Sequence, residues 1–190
     1  MKKLSNWENK KGVNFLKKVG IKKGFKVLDF GANDGNYTIP ASNVVGRNGI
    51  VFAIDENKSA LNELKKKSKF LEFDNIEIIN TNGKLKLDFA DNSIDFAMLY
   101  DVLHYLNSKQ RKILYKEIFR ILKKDATLSI HPKHIIGNFP LMELQNVTLQ
   151  ELINEIENID FKYSKKICGE LSHDEHLENG CTINFMKSDK

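Results

Sequence analysis

Short apolar runs alternate with longer segments of helical spacing along this 190-residue chain. That alternation demands crossover connections between strands. It predicts a mainly parallel α/β sheet with helices on both faces. The runs KVLDF (26–30), IVFAI (50–54), NIEIIN (75–80), IDFAML (94–99) and ATLSI (126–130) read as strands. Residues 36–45, 57–67, 108–122 and 148–156 read as helices. Pro40 falls in or just after the first turn of its helix, where a missing N–H costs little. In 108–122, Ile113, Leu114, Ile118, Ile121 and Leu122 read as one apolar stripe, with Asn107 or Ser108 as N-cap. Thr148 and Glu151 have the spacing of a capping box. Residues 161–168 and 180–186 read as two last strands closing an antiparallel edge. With three Pro and no Gly/Ser/Pro-rich linker, one domain over 1–190 is expected, large enough to bury a core unaided.

Composition narrows the class. Apolar residues are 41% and charged residues 29%, ordinary globular usage that excludes a disordered chain, a collagen or a small disulfide scaffold. No apolar run approaches the roughly 20 residues that cross a bilayer. The N-terminus lacks the apolar stretch of a signal peptide, and two cysteines make no secreted framework. A cytoplasmic protein without membrane contact is expected. The net charge is +5. The positive residues are mostly Lys in pairs spread along the whole chain, which reads as a solvated surface rather than a nucleic-acid face.

Ligands of such sheets sit beyond the carboxyl ends of the strands, so the residues after each apolar run matter most. The first run continues as Phe30-Gly31-Ala32-Asn33-Asp34-Gly35. Gly31 lets backbone approach a ligand closely. Asn33 and Asp34 are residue types that tolerate left-handed conformations. Such a loop can cradle a nucleoside or a phosphate. A dinucleotide fingerprint would need Gly at 33 and 36, where this chain has Asn, which weighs against a nicotinamide dehydrogenase. Asp55 ends the second run, twenty residues after Gly35. A carboxylate there can accept two hydrogen bonds from a ribose diol, or it can cap the helix that follows.

With those residues in view, the chain resembles the class I S-adenosylmethionine-dependent methyltransferases. VLDFGANDGNYT is similar to their first motif and VFAIDENKSAL to their second. LDFADNSIDFAMLYDVLHYL resembles the segment around their fourth strand, and EIFRILKKDATLSIHPKH their following helix and fifth strand. The resemblance implies a Rossmann-like seven-stranded sheet, S-adenosyl-L-methionine as cofactor and methyl transfer to a small-molecule acceptor. Carried over, Asp29, Gly31, Ala32, Asn33 and Gly35 would hold the methionine part of the cofactor, with Tyr100 also at the cofactor. Asp55 would bind the ribose hydroxyls and Glu56 would flank the adenine. In the loop Asn82-Gly83-Lys84, Gly83 stands where the family commonly has an adenine-binding Asp, so Asn82 is expected to supply that contact. Asp125-Ala126 replaces the usual Gly-Gly turn.

Methyl transfer needs chiefly an aligned nucleophile; a base is needed only where a proton must leave. His104 is the base candidate. Asp101, His131 and His134 are the expected substrate contacts, and no metal is expected. Tyr100-Asp101-Val102-Leu103-His104 lacks the Asn/Asp-Pro-Pro-Tyr pattern used on nucleic-acid bases, so an RNA or protein acceptor is the weaker alternative. A non-catalytic S-adenosylmethionine-binding regulatory module is the other. Cys168, His173, His176 and Cys181 read C-x4-H-x2-H-x4-C. That is a metal pattern only if the four converge, and a plain hairpin is expected. Trp7, Phe15, Leu16 and Val19 suggest an N-terminal helix within 1–20 that caps the substrate crevice.

Overall fold

The computed structural model describes residues 5–136, 140, 142–173 and 176–188. Seven strands form one sheet: β1 (Lys26–Phe30), β2 (Ile50–Asp55), β3 (Ile76–Asn80), β4 (Ile94–Tyr100), β5 (Leu122–His131), β6 (Phe161–His173) and β7 (His176–Lys187). Their spatial order is β3-β2-β1-β4-β5-β7-β6. The first five are parallel, and β7 runs antiparallel to both β5 and β6. The strand order therefore reverses between β1 and β4, which opens a crevice at their carboxyl ends.

The two faces of the sheet are covered by different helices. Along β4, Phe96, Met98 and Tyr100 join one apolar cluster, and Ala97 and Leu99 join the other, as a period of two requires. The first face packs on α1 (Gly12–Val19) and α2 (Thr38–Val45) through Leu16, Val19, Val44 and Val45. The second packs on α4 (Ser108–Ile121) and α5 (Leu149–Glu157) through Leu114, Ile118, Leu152 and Ile156. Each such fully buried side chain contributes about 1.5–3 kcal/mol. The remaining helix, α3 (Lys58–Phe70), packs Leu61 and Leu64 beside Ile39 and Ala53.

Caps stop and start these helices as side-chain chemistry dictates. The side chain of Asn107 accepts from Gln110 N–H, and that of Thr148 accepts from Glu151 N–H, each completing a reciprocal capping box. Asn57 caps α3 by accepting from the N–H groups of Ser59 and Ala60.

Several boundaries differ from the sequence reading. Ile113 is 46% exposed; it precedes Leu114 by one residue, about 100° around a helix of 3.6 residues per turn, and so leaves the stripe. Leu122 begins β5 rather than ending α4. The segment before α2 stays irregular as far as Tyr37, because the glycine loop must first clear the ends of the strands. The N-terminal segment is a π-helical turn, Trp7–Lys11, running into α1. The final hairpin continues five residues further than expected, to His173 paired with His176. Cys168 and Cys181 face each other across it and are joined as a disulfide. The four Cys and His residues therefore do not converge on one ion.

Candidate active site

A crevice of about 400 Å³ lies over the strand-order reversal, within the usual range of small-ligand sites. Its wall is built element by element from the loops that follow the parallel strands.

The loop after β1 forms the floor. Gly31 and Ala32 donate their N–H groups to the carbonyl of Ile54, at 2.8 and 3.0 Å, so the loop folds over the end of β2. Gly31 has φ +85°, and a Cβ there would lie 2.8 Å from Val102 Cγ2. Only Gly fits both demands. Asn33 adopts φ 47°, the left-handed conformation that Asn tolerates; Asp34 does not enter that region. Gly35 does not reach the wall. Its φ is +99°, and a Cβ would meet buried Leu64 Cδ1 at 2.4 Å, so Gly is required there to admit α3.

Asp55 ends β2, half-buried, and lines the crevice with Gly31. Its Oδ2 accepts from Asn33 N–H at 2.8 Å and its Oδ1 from Asn57 N–H at 2.7 Å. Each carboxylate oxygen can accept more than one hydrogen bond. Asp55 thus pins the glycine loop and keeps acceptor capacity toward the crevice. Glu56 and, after β3, Thr81, Gly83 and Lys84 extend the same wall. Asn82 takes φ 49° in that turn and, unlike Thr81, Gly83 and Lys84, does not line the crevice.

Asp29 lies at the deep end, 2% exposed but lining the crevice. Burial pushes its pKa up from 3.8 to about 7, opposed by the hydroxyl of Thr38, which donates to Asp29 Oδ2 at 2.6 Å. A buried carboxylate poised in this way favours a cationic ligand. Tyr100 presents its ring, since its hydroxyl is engaged with Ser129 Oγ at 2.8 Å. Burial raises its pKa. Tyr37 packs edge-on against Tyr100, with ring centroids 4.8 Å apart, and donates its hydroxyl to the carbonyl of Ser172. Trp7 braces Tyr37 from behind, edge-on at 5.5 Å.

The histidines gather at one end. Asp101, just past β4, is on the wall. His104 is 2% exposed, with its ring 4.1 Å from that of Tyr105 and 4.5 Å from that of His134. It sits behind the wall, its Nδ1 3.6 Å from Asp101 Oδ1. His131 is buried against Tyr100, and burial lowers its pKa to about 4. It is therefore neutral near pH 7 and away from the crevice surface. His134 is 6% exposed behind the same wall. The sequence reading missed Tyr37, Tyr105, Gln110 and Ser172, which also line the crevice. Ser172 reaches the crevice only because the last hairpin continues past residue 168, where the sequence reading ended its first strand.

Comparison with known proteins places this architecture. Residues 27–125 match the family described as a methyltransferase domain. A demethylmenaquinone methyltransferase of Staphylococcus aureus (strain MRSA252) is 32% identical over 108 residues, 57% of this chain and 43% of that protein. The chain thus matches less than half the length of that curated relative. A SAM-dependent methyltransferase of Aquifex aeolicus superposes with a TM-score of 0.78 at 24% identity, over 97% of this chain and 94% of that one. One from Methanosarcina mazei gives 0.70 at 18% identity, over 92% and 98%. These structures share the fold, and the glycine loop and the carboxyl ends of β1 to β4 fall inside residues 27–125: the chain belongs to the methyltransferase-domain family.

Proposed function

We propose that this chain transfers a methyl group from S-adenosyl-L-methionine to a small-molecule acceptor. The observation that carries the reading is the convergence of Gly31, Asp55 and buried Asp29 on one crevice. These groups suit the cofactor's chemistry: a close backbone approach, a diol-accepting carboxylate and an anion for a cationic amino-acid end. Asp29, Gly31, Ala32 and Asn33 would hold the methionine part, Gly35 shaping the loop from behind. Asp55 would take the ribose, and Glu56, Gly83 and Lys84 would flank the adenine, with Tyr100 at the cofactor on the Asp29 side. When bound, the cofactor supplies a methyl carbon already activated by its sulfonium.

The chain's own part is orientation. Tyr37, Tyr100 and the N-terminal Trp7 fix the apolar side of the crevice and exclude water. Asp101 is the titratable group that faces the acceptor end, with His104 behind it as a positioning residue and His134 close by. The demethylmenaquinone relative methylates a small molecule by its name, which supports an acceptor of that size.

Two measurements test this. Calorimetry with S-adenosylhomocysteine should show one saturable site, weakened in Asp55→Ala; a preference for NAD would overturn the assignment. Labelled methyl from the cofactor should then appear on a component of a metabolite pool. Cofactor binding with no transfer to metabolite, RNA or protein pools would instead establish a non-catalytic binding module.

A further inference from the structure

Four of the chain's five histidines gather behind the Asp101 end of the crevice wall, on three separate elements. Asp101 follows β4, His134 follows β5 and His173 ends β6. A donor atom from each of Asp101, His134 and His173 lies within 4.8 Å of the other two. The geometry points to a site for a divalent first-row transition-metal ion held by these three side chains. The inference rests on the methyltransferase reading for its role, but not for its existence.

Two imidazoles and one carboxylate on one side of an ion, with further positions open, is a donor set for Zn²⁺, Fe²⁺, Co²⁺ or Mn²⁺. Donors about 2.1 Å from a tetrahedral ion lie about 3.4 Å apart. The widest pair needs to close by about 1.4 Å at most, and His173 Nδ1 and Asp101 Oδ2, now in direct contact, need to part to admit the ion; imidazole and carboxylate rotation can supply both. Asp101 already joins two histidines: His173 Nδ1 contacts its Oδ2, and His104 Nδ1 faces its Oδ1. His104 then has the place of an outer partner that fixes a ligating carboxylate. The rings of His134 and His173 are 5.7 Å apart. Asp101 and His173 keep side-chain exposures of 20% each, enough for an ion and an acceptor to enter. Lys133, next to His134, is paired with Glu178, so its charge is compensated. Both Asp101 (φ 55°) and His134 (φ 54°) adopt left-handed backbone, a conformation uncommon outside Gly and one that accumulates at functional sites.

Such an ion would recognise an acceptor through a phenol or enol oxygen. Coordination lowers that oxygen's proton affinity, and its proton leaves to solvent. The acceptor's electron pair then forms the bond to the methyl carbon, while the sulfur–carbon pair returns to sulfur and leaves a neutral thioether.

The test uses the full chain, stripped with chelator and kept with its disulfide intact. Co²⁺ is titrated by visible spectroscopy and Zn²⁺ by calorimetry. One equivalent should bind with micromolar affinity or better. His134→Ala and His173→Ala should each weaken binding about 100-fold or more, beyond the 10–100-fold typical of outer partners. S-adenosylhomocysteine binding should stay intact in both variants, reporting that they fold; His173→Gln replaces any that does not. A Cys168→Ser/Cys181→Ser chain should keep the metal. No saturable metal binding, binding unchanged in His134→Ala, or binding lost only with the cysteines would overturn the site. If S-adenosylhomocysteine still binds in those cases, the cofactor assignment survives the loss of this one.

Discussion

Asp29→Asn is the substitution whose consequence the structure makes most calculable. The folded chain holds the Asp29 carboxyl at a pKa of about 7, chiefly through burial, against an ordinary value of 3.8. Between those values the folded state keeps a proton that the unfolded state has released. Stability therefore falls as pH rises from about 4 to about 7, and levels off above that. At ~1.4 kcal/mol per pH unit, the gap sets a ceiling of about 4 kcal/mol on the stability lost. Asn keeps an oxygen for the Thr38 hydroxyl but carries no proton equilibrium. The difference in unfolding free energy between Asp29→Asn and the parent should thus grow in favour of the variant from pH 4 to pH 7, then stay constant. Urea titrations at half-unit pH intervals without cofactor measure it directly. A second readout is S-adenosylhomocysteine affinity, which should rise through pH 7 in the parent, as Asp29 ionises opposite the ligand's amino group. That rise should vanish in the variant. A stability difference that does not change between pH 4 and 8 would refute the burial argument.

Three further substitutions separate scaffold from site. Asp55→Ala should weaken cofactor binding by about 1.5–3 kcal/mol, read by calorimetry. It should also cost about 1–2 kcal/mol of stability, because its carboxylate holds the N–H groups of Asn33 and Asn57. Gly35→Ala should lower stability by roughly 2–4 kcal/mol in urea melts, from strained backbone and the clash with Leu64. Glu155→Ala should cost roughly 3–5 kcal/mol, since it removes the charge partner of Arg111, which is 2% exposed and donates two hydrogen bonds of 2.9 and 2.7 Å to that carboxylate. An unfolding midpoint unchanged in Glu155→Ala would show that water reaches the guanidinium.

The parallel core was legible because its strands are buried on both faces and carry near-continuous apolar runs such as IVFAI. The glycine loop and Asp55 were legible because their spacing is tied to one strand–loop–helix unit, a local feature of the chain. The roles of Gly35 and Asn82 were not. A loop glycine needed to admit Leu64 looks the same in sequence as one needed to admit a ligand. Distant neighbours hid the histidine end: His173 meets Asp101 across 72 positions, and only the folded hairpin brings them together. Periodicity also overreached at Ile113, where an apolar residue beside a true stripe position was counted with it.

The hairpin of β6 and β7 outruns the sheet that supports it. β7 pairs with β5 over Ile183–Met186 only, while its pairing with β6 continues to the His173–His176 tip. That overhanging arm lies outside residues 27–125, which contain the crevice-lining loops after β1, β2, β3 and β4. The hairpin thereby adds Ser172 to a crevice whose other walls, Asp101 included, come from the loops after the parallel strands. Transplanting 161–187 between relatives should exchange acceptor preference while leaving cofactor affinity where it was.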